Sequence, residues 1–460
     1  MLTSIEYINI IIVFYYIVLL IWYTATLFLS YPEIIKMHNE ACYGHIDSLM
    51  QNSTIPVSII IAAFNEESRI LNTIYSVLNN QYKNVSIYIV NDGSTDGTLS
   101  LLMNEFSLYE IPPVINQVLD TSPLRHYYQS KRYKNLFVLD KEHSPFNNPA
   151  DSHNLSLNAI SSPVVMTLDA DTVLEPDAIE AALYSLLSNN HCVAIGGSIY
   201  ILNENNVDHG RMLTRNVPKK FILALQCIEY LRSFSYGRAG LNRLTGALCY
   251  PGAFTLFETQ ALKEFGGFDR ENCSFDAEIT LKFHHQMRKL NYPTFLCFSA
   301  NAIAWTVVPD NLRSYWRQRN FWQRGMLLSA MKHMRMFFNP WYGLVGMITF
   351  PAFVLFEVFG PVIEFLSYFF FVISLILGIV TWSLIGWYIL WAWGSLLLLT
   401  IGSLYLSLIT TTVFNRFSDM LRLLWYVTLE MFGLRQFKAA CCFWATLQFI
   451  CKRSGTREFN

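Results

Sequence analysis

Residues 163–179 read Pro-Val-Val-Met-Thr-Leu-Asp-Ala-Asp-Thr-Val-Leu-Glu-Pro-Asp-Ala-Ile, and the reading of this stretch decides the fold. Val164 to Leu168 is a short apolar run rich in β-branched residues, preceded by Pro163 and followed by acids, which suits a buried strand of a parallel sheet. Asp169 and Asp171 stand where that strand ends. In extended chain residues i and i+2 face the same side, so both carboxylates are expected to point into one crevice beyond the strand's carboxyl end. Two oxygen ligands at such an edge suit a hard cation, Mg²⁺ or Mn²⁺, whose shell is completed by substrate phosphates. Taken alone, the three residues also read as a plain polar loop start.

Working outward, Val57 to Ala62 is a second buried-strand pattern. Ala63-Phe64-Asn65-Glu66-Glu67 follows it, then Ile70, Ile74, Val77 and Leu78 at helical spacing, which makes a strand-turn-helix unit. Val85 to Val90 is another strand, ending in Asn91-Asp92-Gly93-Ser94-Thr95-Asp96-Gly97-Thr98. An acid and two glycines there allow backbone to approach a ligand closely, although a structural turn explains the glycines as well. Asn135 to Leu139 is a further strand, Pro145 to Pro149 a loop, and His153 to Ile160 a helix. Strands alternating with helices predict an α/β fold, an open and mostly parallel sheet with right-handed crossovers and its ligand along the carboxyl edge. Three strand ends then bring Asn65-Glu66, Asp92 and Asp169/Asp171 to that edge.

The chain has 460 residues, of which 53% are hydrophobic and only 15% charged, with 34 Phe, 25 Tyr and 11 Trp; this is too apolar for an ordinary soluble enzyme. The excess lies at the two ends, whereas Ile55 to Val308 reads as a soluble domain, so a globular insert in a membrane protein is expected. Ile5 to Ser30 is almost uncharged and long enough to span a bilayer. The competing reading is a cleavable signal peptide, but there is no basic leading region and the apolar part is too long, which favours a retained anchor. Trp341 to Phe414 is apolar again, interrupted by Glu357, Pro361 and Glu364, and is enough chain for two to four crossings. Arg313, Arg317, Arg319, Arg324, Lys332 and Arg335 precede it, and Arg416, Arg422, Arg435, Lys438, Lys452 and Arg453 follow it. Both flanks are therefore expected on the cytoplasmic side, with an even number of crossings between them unless Glu357 and Pro361 mark a re-entrant piece. The nine cysteines show no metal-ligand spacing, and a net charge of -1 gives no sign of a nucleic-acid partner.

Tyr250-Pro251-Gly252-Ala253-Phe254 precedes a Phe265-Gly266-Gly267-Phe268-Asp269 turn, and Cys273 to Lys282 leads into a helix. Asp276 near that helix start reads, by itself, as a cap. Leu312 to Phe338 mixes Arg, Trp, Phe and Met, including Gln318, Arg319, Phe321, Trp322 and Arg324. Such a basic, aromatic, amphipathic segment suits the bilayer interface; the other reading is a phosphate-facing Arg beside an aromatic platform for a sugar.

Taken in order, these motifs resemble the membrane-integrated family 2 glycosyltransferases, the group of poly-N-acetylglucosamine, chitin-oligosaccharide, hyaluronan and cellulose synthases. The shared order is Asn65-Glu66-Glu67, Asp92-Gly93-Ser94, Asp169-x-Asp171, Gly266 to Asp269, an acidic motif at Asp276 and a Gln318-x-x-x-Trp322 box. The resemblance runs from about Val57 to Gly325 and loosely through the membrane segments. It implies a GT-A-like domain over residues 53–308 between an anchor at 1–31 and interfacial helices at 309–340, then membrane helices at 341–414 and a basic segment at 415–460. It also implies that Ala63, Asn65, Glu66, Asp92, His153, Asp169, Gly252, Gln318, Trp322 and Arg324 contact substrate, with Asp92 on the uracil of a UDP-sugar. Asp169 and Asp171 would hold Mg²⁺ or Mn²⁺, Asp276 would be the general base and Trp322 would meet the acceptor. The implied partners are a UDP-sugar donor, a glycan or lipid-linked acceptor, the bilayer of the plasma (inner) membrane and a membrane subunit of unknown kind, with the catalytic domain in the cytoplasm. The sugar first implied is N-acetylglucosamine, added to a growing polysaccharide; single transfer to a lipid and a non-catalytic nucleotide-binding scaffold are the alternatives. The chain departs from the pattern at four positions: Phe275 replaces the Glu before the base, His153 a phosphate-contacting Lys, Phe321 the Arg of the box and Pro251 a Ser. Arg319 or Arg324 is then the expected source of the missing charge.

Overall fold

The computed structural model describes residues 2–42, 44, 46, 50, 53–146, 148–189, 191–290, 295–410, 413 and 416–453. Met1, Phe414, Asn415, residues 454–460 and the side chains of Lys452 and Arg453, which the expected segment boundaries and basic flank include, lie outside the described residues, as does Asn147 of the expected loop. The chain divides into two units, one formed by Ile34–Asn216 and Thr245–Val308, the other by Met1–Glu33, Val217–Leu244 and Pro309–Asn460.

The first unit is built on a sheet. The strands among the described residues are β1 (Val57–Ala63), β2 (Val85–Asn91), β3 (Leu108–Glu110), β4 (Leu124–Ser130), β5 (Leu136–Lys141), β6 (Val164–Asp169), β7 (Val173–Leu174), β8 (Cys192–Ile201), β9 (Val207–Asp208), β10 (Arg211–Met212), β11 (Phe254–Glu258) and β12 (Phe295–Thr306). Ten of them form one sheet in the order β3-β4-β5-β2-β1-β6-β11-β8-β12-β7. The central block β5-β2-β1-β6 is parallel, as expected for strands whose apolar residues are buried on both faces; Ile59, Ile60 and Ile61 of β1 are wholly buried. Outside that block β8 and β12 are parallel, while β11, β7, β3 and β4 pair antiparallel, so the sheet as a whole is mixed.

Register decides where the chemistry goes. Ala63 stands opposite Asn91, Ala62 opposite Asp169 and Asn91 opposite Asp140, so four parallel strands end in line at one carboxyl edge. The helices Ile70–Leu78, Thr98–Phe106 and Ala150–Ala159 follow β1, β2 and β5 in the chain, and the chain after Ala150–Ala159 enters β6. The last of these is buried along nearly its whole length, from Ala150 to Asn158.

The second unit is helical. Trp382–Thr410 in this unit, and Ile5–Cys42, which belongs to it up to Glu33 and to the first unit from Ile34, are each long and apolar enough to cross a membrane, and Val345–Val358 with Gly360–Ile376 form a pair bent by 49°. Phe353–Val358 is a π-helix and Pro361 stands at the start of the next helix, two recognised causes of a kink. Among the described residues, the region from 341 to 414 therefore carries one candidate span, or two if the bent pair counts as one, and the break falls at the Glu357–Pro361 interruption.

Candidate active site

The loops after β1 and β2 lock onto each other. Asn65 adopts left-handed backbone (φ 58), a conformation Asn tolerates better than most residues. Its side-chain Oδ1 accepts from the backbone N–H of Thr95 at 2.8 Å, and its own N–H donates to Ser94 Oγ at 3.0 Å. Glu66 N–H donates to Thr98 Oγ1 at 2.9 Å, and Gly97 N–H donates to Glu67 Oε2 at 3.0 Å. The Asn-Glu-Glu turn and the Asp-Gly-Ser loop thus form one rigid rim, and the Asn65 side chain serves as its brace.

Asp92 follows β2, and its N–H donates to Ala63 O at 2.9 Å. Its Oδ1 accepts from Ser144 N at 2.9 Å and from the ammonium of Lys141, which is wholly buried. Lys141 also pairs with the wholly buried Asp151 at 2.9 Å, and Arg270 reaches the other oxygen of Asp151 at 2.7 Å. The Phe64 and His143 rings stack beside Asp92 with centroids 4.5 Å apart, and His143 Nδ1 lies 2.8 Å from the Asp92 carbonyl oxygen. Gly93 takes a positive φ of 63°, and a Cβ there would meet the backbone nitrogen of His143 at 2.9 Å, so a side chain is excluded.

The Asp-x-Asp segment is a turn. Asp169 closes β6, and its carbonyl accepts from Thr172 N at 3.1 Å, so the two carboxylates are brought together by a bend and not by the two-residue repeat of extended chain. Asp171 Oδ1 accepts from Thr306 Oγ1 at 3.1 Å, and Arg69 stands 3.9 Å from Asp171 and 4.0 Å from Glu66. Burial, then the carboxylates of Asp171, Asp276 and Glu66, pushes Asp169 up to about 8. Burial, then Asp171, raises Glu66 to about 7, partly offset by Arg69. Four carboxyl groups therefore share one electrostatic environment at the sheet edge.

Asp276 lies in the first turn of the helix Phe275–Lys289, where its Oδ1 accepts from Ala277 N at 2.9 Å. The N-cap position itself is Ser274, which makes no side-chain cap hydrogen bond, so Asp276 is a first-turn acid that is coupled to Asp169 and not the cap. Gly252 is tight against it: a Cβ there would lie 2.8 Å from Phe275 Cζ and 3.4 Å from Asp276 Cβ. His153 is buried, its two ring nitrogens have no hydrogen-bond partner, and it sits among Phe268 and Phe275 at centroid distances of 5.0 and 5.1 Å. Burial lowers its pKa to about 3, so the ring is neutral and brings no positive charge to a phosphate.

Gln318, Trp322 and Arg324 belong to the other unit, on the amphipathic helix Leu312–Lys332. Trp322 and Arg324 are half-buried, and the side-chain oxygen of Gln318 is buried without a hydrogen-bond donor. Arg319 is committed elsewhere: both its terminal nitrogens bond Glu229, at 3.1 and 2.8 Å, so it is not the replacement phosphate cation that the sequence suggested.

Among the described residues, no three His, Cys, Asp or Glu side chains are grouped closely enough to hold a metal ion by themselves. The donor set nevertheless fits a hard divalent cation that brings phosphate ligands with it. Asp169 and Asp171 offer carboxylate oxygens at a turn, and the Arg69 guanidinium stands 3.9 Å from Asp171. Lys141, Asp151, Arg270, Arg69 and Thr306 support this edge and were not singled out from the sequence.

The family model described as glycosyltransferase like family 2 matches residues 55–325. The poly-beta-1,6-N-acetyl-D-glucosamine synthase of Staphylococcus epidermidis is 25% identical over 269 residues, 58% of this chain and 54% of that protein. The enzyme of the same name from Staphylococcus aureus (strain COL) is 23% identical over 269 residues with the same shares. The chain thus spans about half the length of the curated relatives it matches. Among solved structures, the mannosyltransferase PcManGT from Pyrobaculum calidifontis, in complex with GDP-Man and Mn²⁺, is similar with a TM-score of 0.51 at 13% identity. That match covers 92% of this chain and 99% of the other, a likeness of the GT-A type of fold alone.

Proposed function

Because this chain belongs to glycosyltransferase like family 2, we propose that it transfers a sugar, N-acetylglucosamine in the first instance, from a UDP donor to a growing polysaccharide at the membrane with inversion at the anomeric carbon. The observation that carries this reading is the electrostatic coupling of Glu66, Asp169, Asp171 and Asp276 at the carboxyl edge of the sheet, the edge to which β2 also brings Asp92. With Oδ1 of Asp92 held by Lys141 and Ser144 N, Oδ2, which has His143 Nδ1 at 3.5 Å, would accept the imide N–H of a uracil, while Phe64 and His143 offer a flat surface to the base.

Asp169 and Asp171 would hold the cation together with the diphosphate, and a bound Mg²⁺ or Mn²⁺ supplies charge neutralisation of the departing group. Asp276 takes the proton of the acceptor hydroxyl as its oxygen bonds to the anomeric carbon and the bond to the diphosphate breaks on the opposite side. Gly252, with no side chain, lets its backbone pack close to Phe275 and Asp276, where a Cβ would crowd Phe275 Cζ at 2.8 Å. Trp322 offers the acceptor sugar an apolar face, and the catalytic unit works on the cytoplasmic side. The basic flanks of the apolar segments support this placement.

The test is a panel of nucleotide sugars added to membranes containing the protein, reading UDP release and product length. UDP release with UDP-N-acetylglucosamine and a ladder of products is expected. One defined glycolipid would replace polymerisation by single transfer to a lipid acceptor. Nucleotide binding without turnover on any donor would leave a non-catalytic scaffold.

A further inference from the structure

We propose that Arg319 is a positioning residue that fixes the ring of Trp322, acting through a clamp with Glu229 and Lys438. The inference rests on the reading of Trp322 as the acceptor's aromatic platform. Tyr315, Arg319 and Trp322 are spaced by four and three residues on the helix Leu312–Lys332, so they share a face. The Arg319 guanidinium lies 4.7 Å from the Tyr315 ring centroid and 4.6 Å from that of Trp322, within cation–π range of both.

The guanidinium cannot drift. It is only 4% exposed and is gripped in two-point fashion by Glu229 on the helix Phe221–Arg232. Lys438 on the helix Leu434–Arg453 donates to Oε1 of the same carboxylate, the oxygen that also accepts one of the Arg319 bonds. Burial would raise Glu229, but Arg319 and Lys438 outweigh it and hold the carboxyl down at about 2, so the clamp stays ionised under ordinary conditions. Arg319, so bound, is spent on Trp322 and not on a phosphate. Trp322 itself remains half-buried, which leaves part of its surface for a sugar.

The helix has other fastenings. Asn320 donates to Gln448 Oε1 at 3.2 Å, and Gln323 donates to Thr446 Oγ1 at 3.2 Å and to Val358 O at 2.9 Å. Loss of the Arg319 fork should therefore loosen one ring and leave the helix docked.

The experiment uses the full chain with UDP-N-acetylglucosamine as donor and a soluble N-acetylglucosamine pentasaccharide as acceptor, and compares Arg319→Lys, Trp322→Ala and the double variant. Arg319→Lys keeps the charge for Glu229 but loses the planar fork. The expected result is an acceptor KM raised about tenfold with donor KM unchanged, in line with a cation–π contact of this kind. The double variant should be no worse than Trp322→Ala, because the two act as one unit. A raised donor KM, or effects of the two substitutions that multiply, would overturn the inference. If Arg319→Lys does not fold, Glu229→Gln frees the same guanidinium and should give the same acceptor-specific shift; an unchanged acceptor KM there is equally contrary. An acceptor KM indifferent to Trp322→Ala would remove the acceptor reading of the tryptophan itself, and this inference with it. Multiplying effects would remove the clamp alone.

Discussion

At the scale of single residues, His153 shows what burial does to an imidazole. Its ring is neutral among Phe268 and Phe275, and its pKa falls from an ordinary 6.5 to about 3. In the unfolded chain the same ring takes up a proton below about 6.5, so folding stability is complete above that pH and is lost as pH falls toward 3. At pH 5 the loss is about 2 kcal/mol. His153→Leu should abolish this acid-side loss, so its melting temperature should change less between pH 7 and pH 5 than that of the parent; a parallel decline of both proteins would contradict the burial argument. Lys141 is the opposite case, a buried charge fully paired with Asp92 and Asp151. Lys141→Met leaves two carboxylates short of a partner, and the expected cost is about 3–5 kcal/mol, with UDP affinity falling alongside, measured by denaturant unfolding and calorimetry. Neither residue's role was legible in the sequence. The partners of a buried charge come from other turns of the chain, Asp92 being 49 positions from Lys141, and no local pattern announces them.

At the scale of elements, the strands that mattered most were the easiest to read. The short apolar runs at Val57, Val85, Asn135 and Val164 became β1, β2, β5 and β6, because a strand buried on both faces needs an unbroken apolar run. The strands outside the parallel block, β3, β4, β8, β11 and β12 among them, were not read from the sequence; Leu124–Ser130, for one, mixes His, Tyr, Gln and Ser and carries no clear run. The loops gave their residues but not their work: Asn65, expected to meet substrate, braces the rim between two strand ends. Asn65→Ala should cost about 2 kcal/mol, through the lost hydrogen bonds and a left-handed backbone that alanine resists, and should weaken UDP binding without touching the acceptor KM. Gly252→Val tests the packing behind the acidic helix. With Phe275 Cζ only 2.8 Å from the nearest added atom, the helix start must shift, and kcat should fall by at least tenfold while UDP binding is kept.

At the scale of the whole molecule, an apolar composition confined to the chain ends reads as membrane segments, and two helices are long and apolar enough for the purpose. Their outward side chains, among them Ile10, Phe14 and Phe28 in one and Trp387, Leu398 and Ile401 in the other, are exposed in a way that water would penalise. The protein should therefore stay with membranes after alkaline carbonate washing and leave them only in detergent; release by carbonate alone would contradict the spans. What the sheet edge does is the central matter. The most direct measurement takes purified protein in detergent with UDP-N-acetylglucosamine and Mn²⁺ and compares the parent with Asp276→Asn, reading UDP release and, by calorimetry, UDP binding. The account predicts that the substitution abolishes release, by about a thousandfold or more, while UDP still binds with nearly the parent's affinity; release that persists in Asp276→Asn would contradict it.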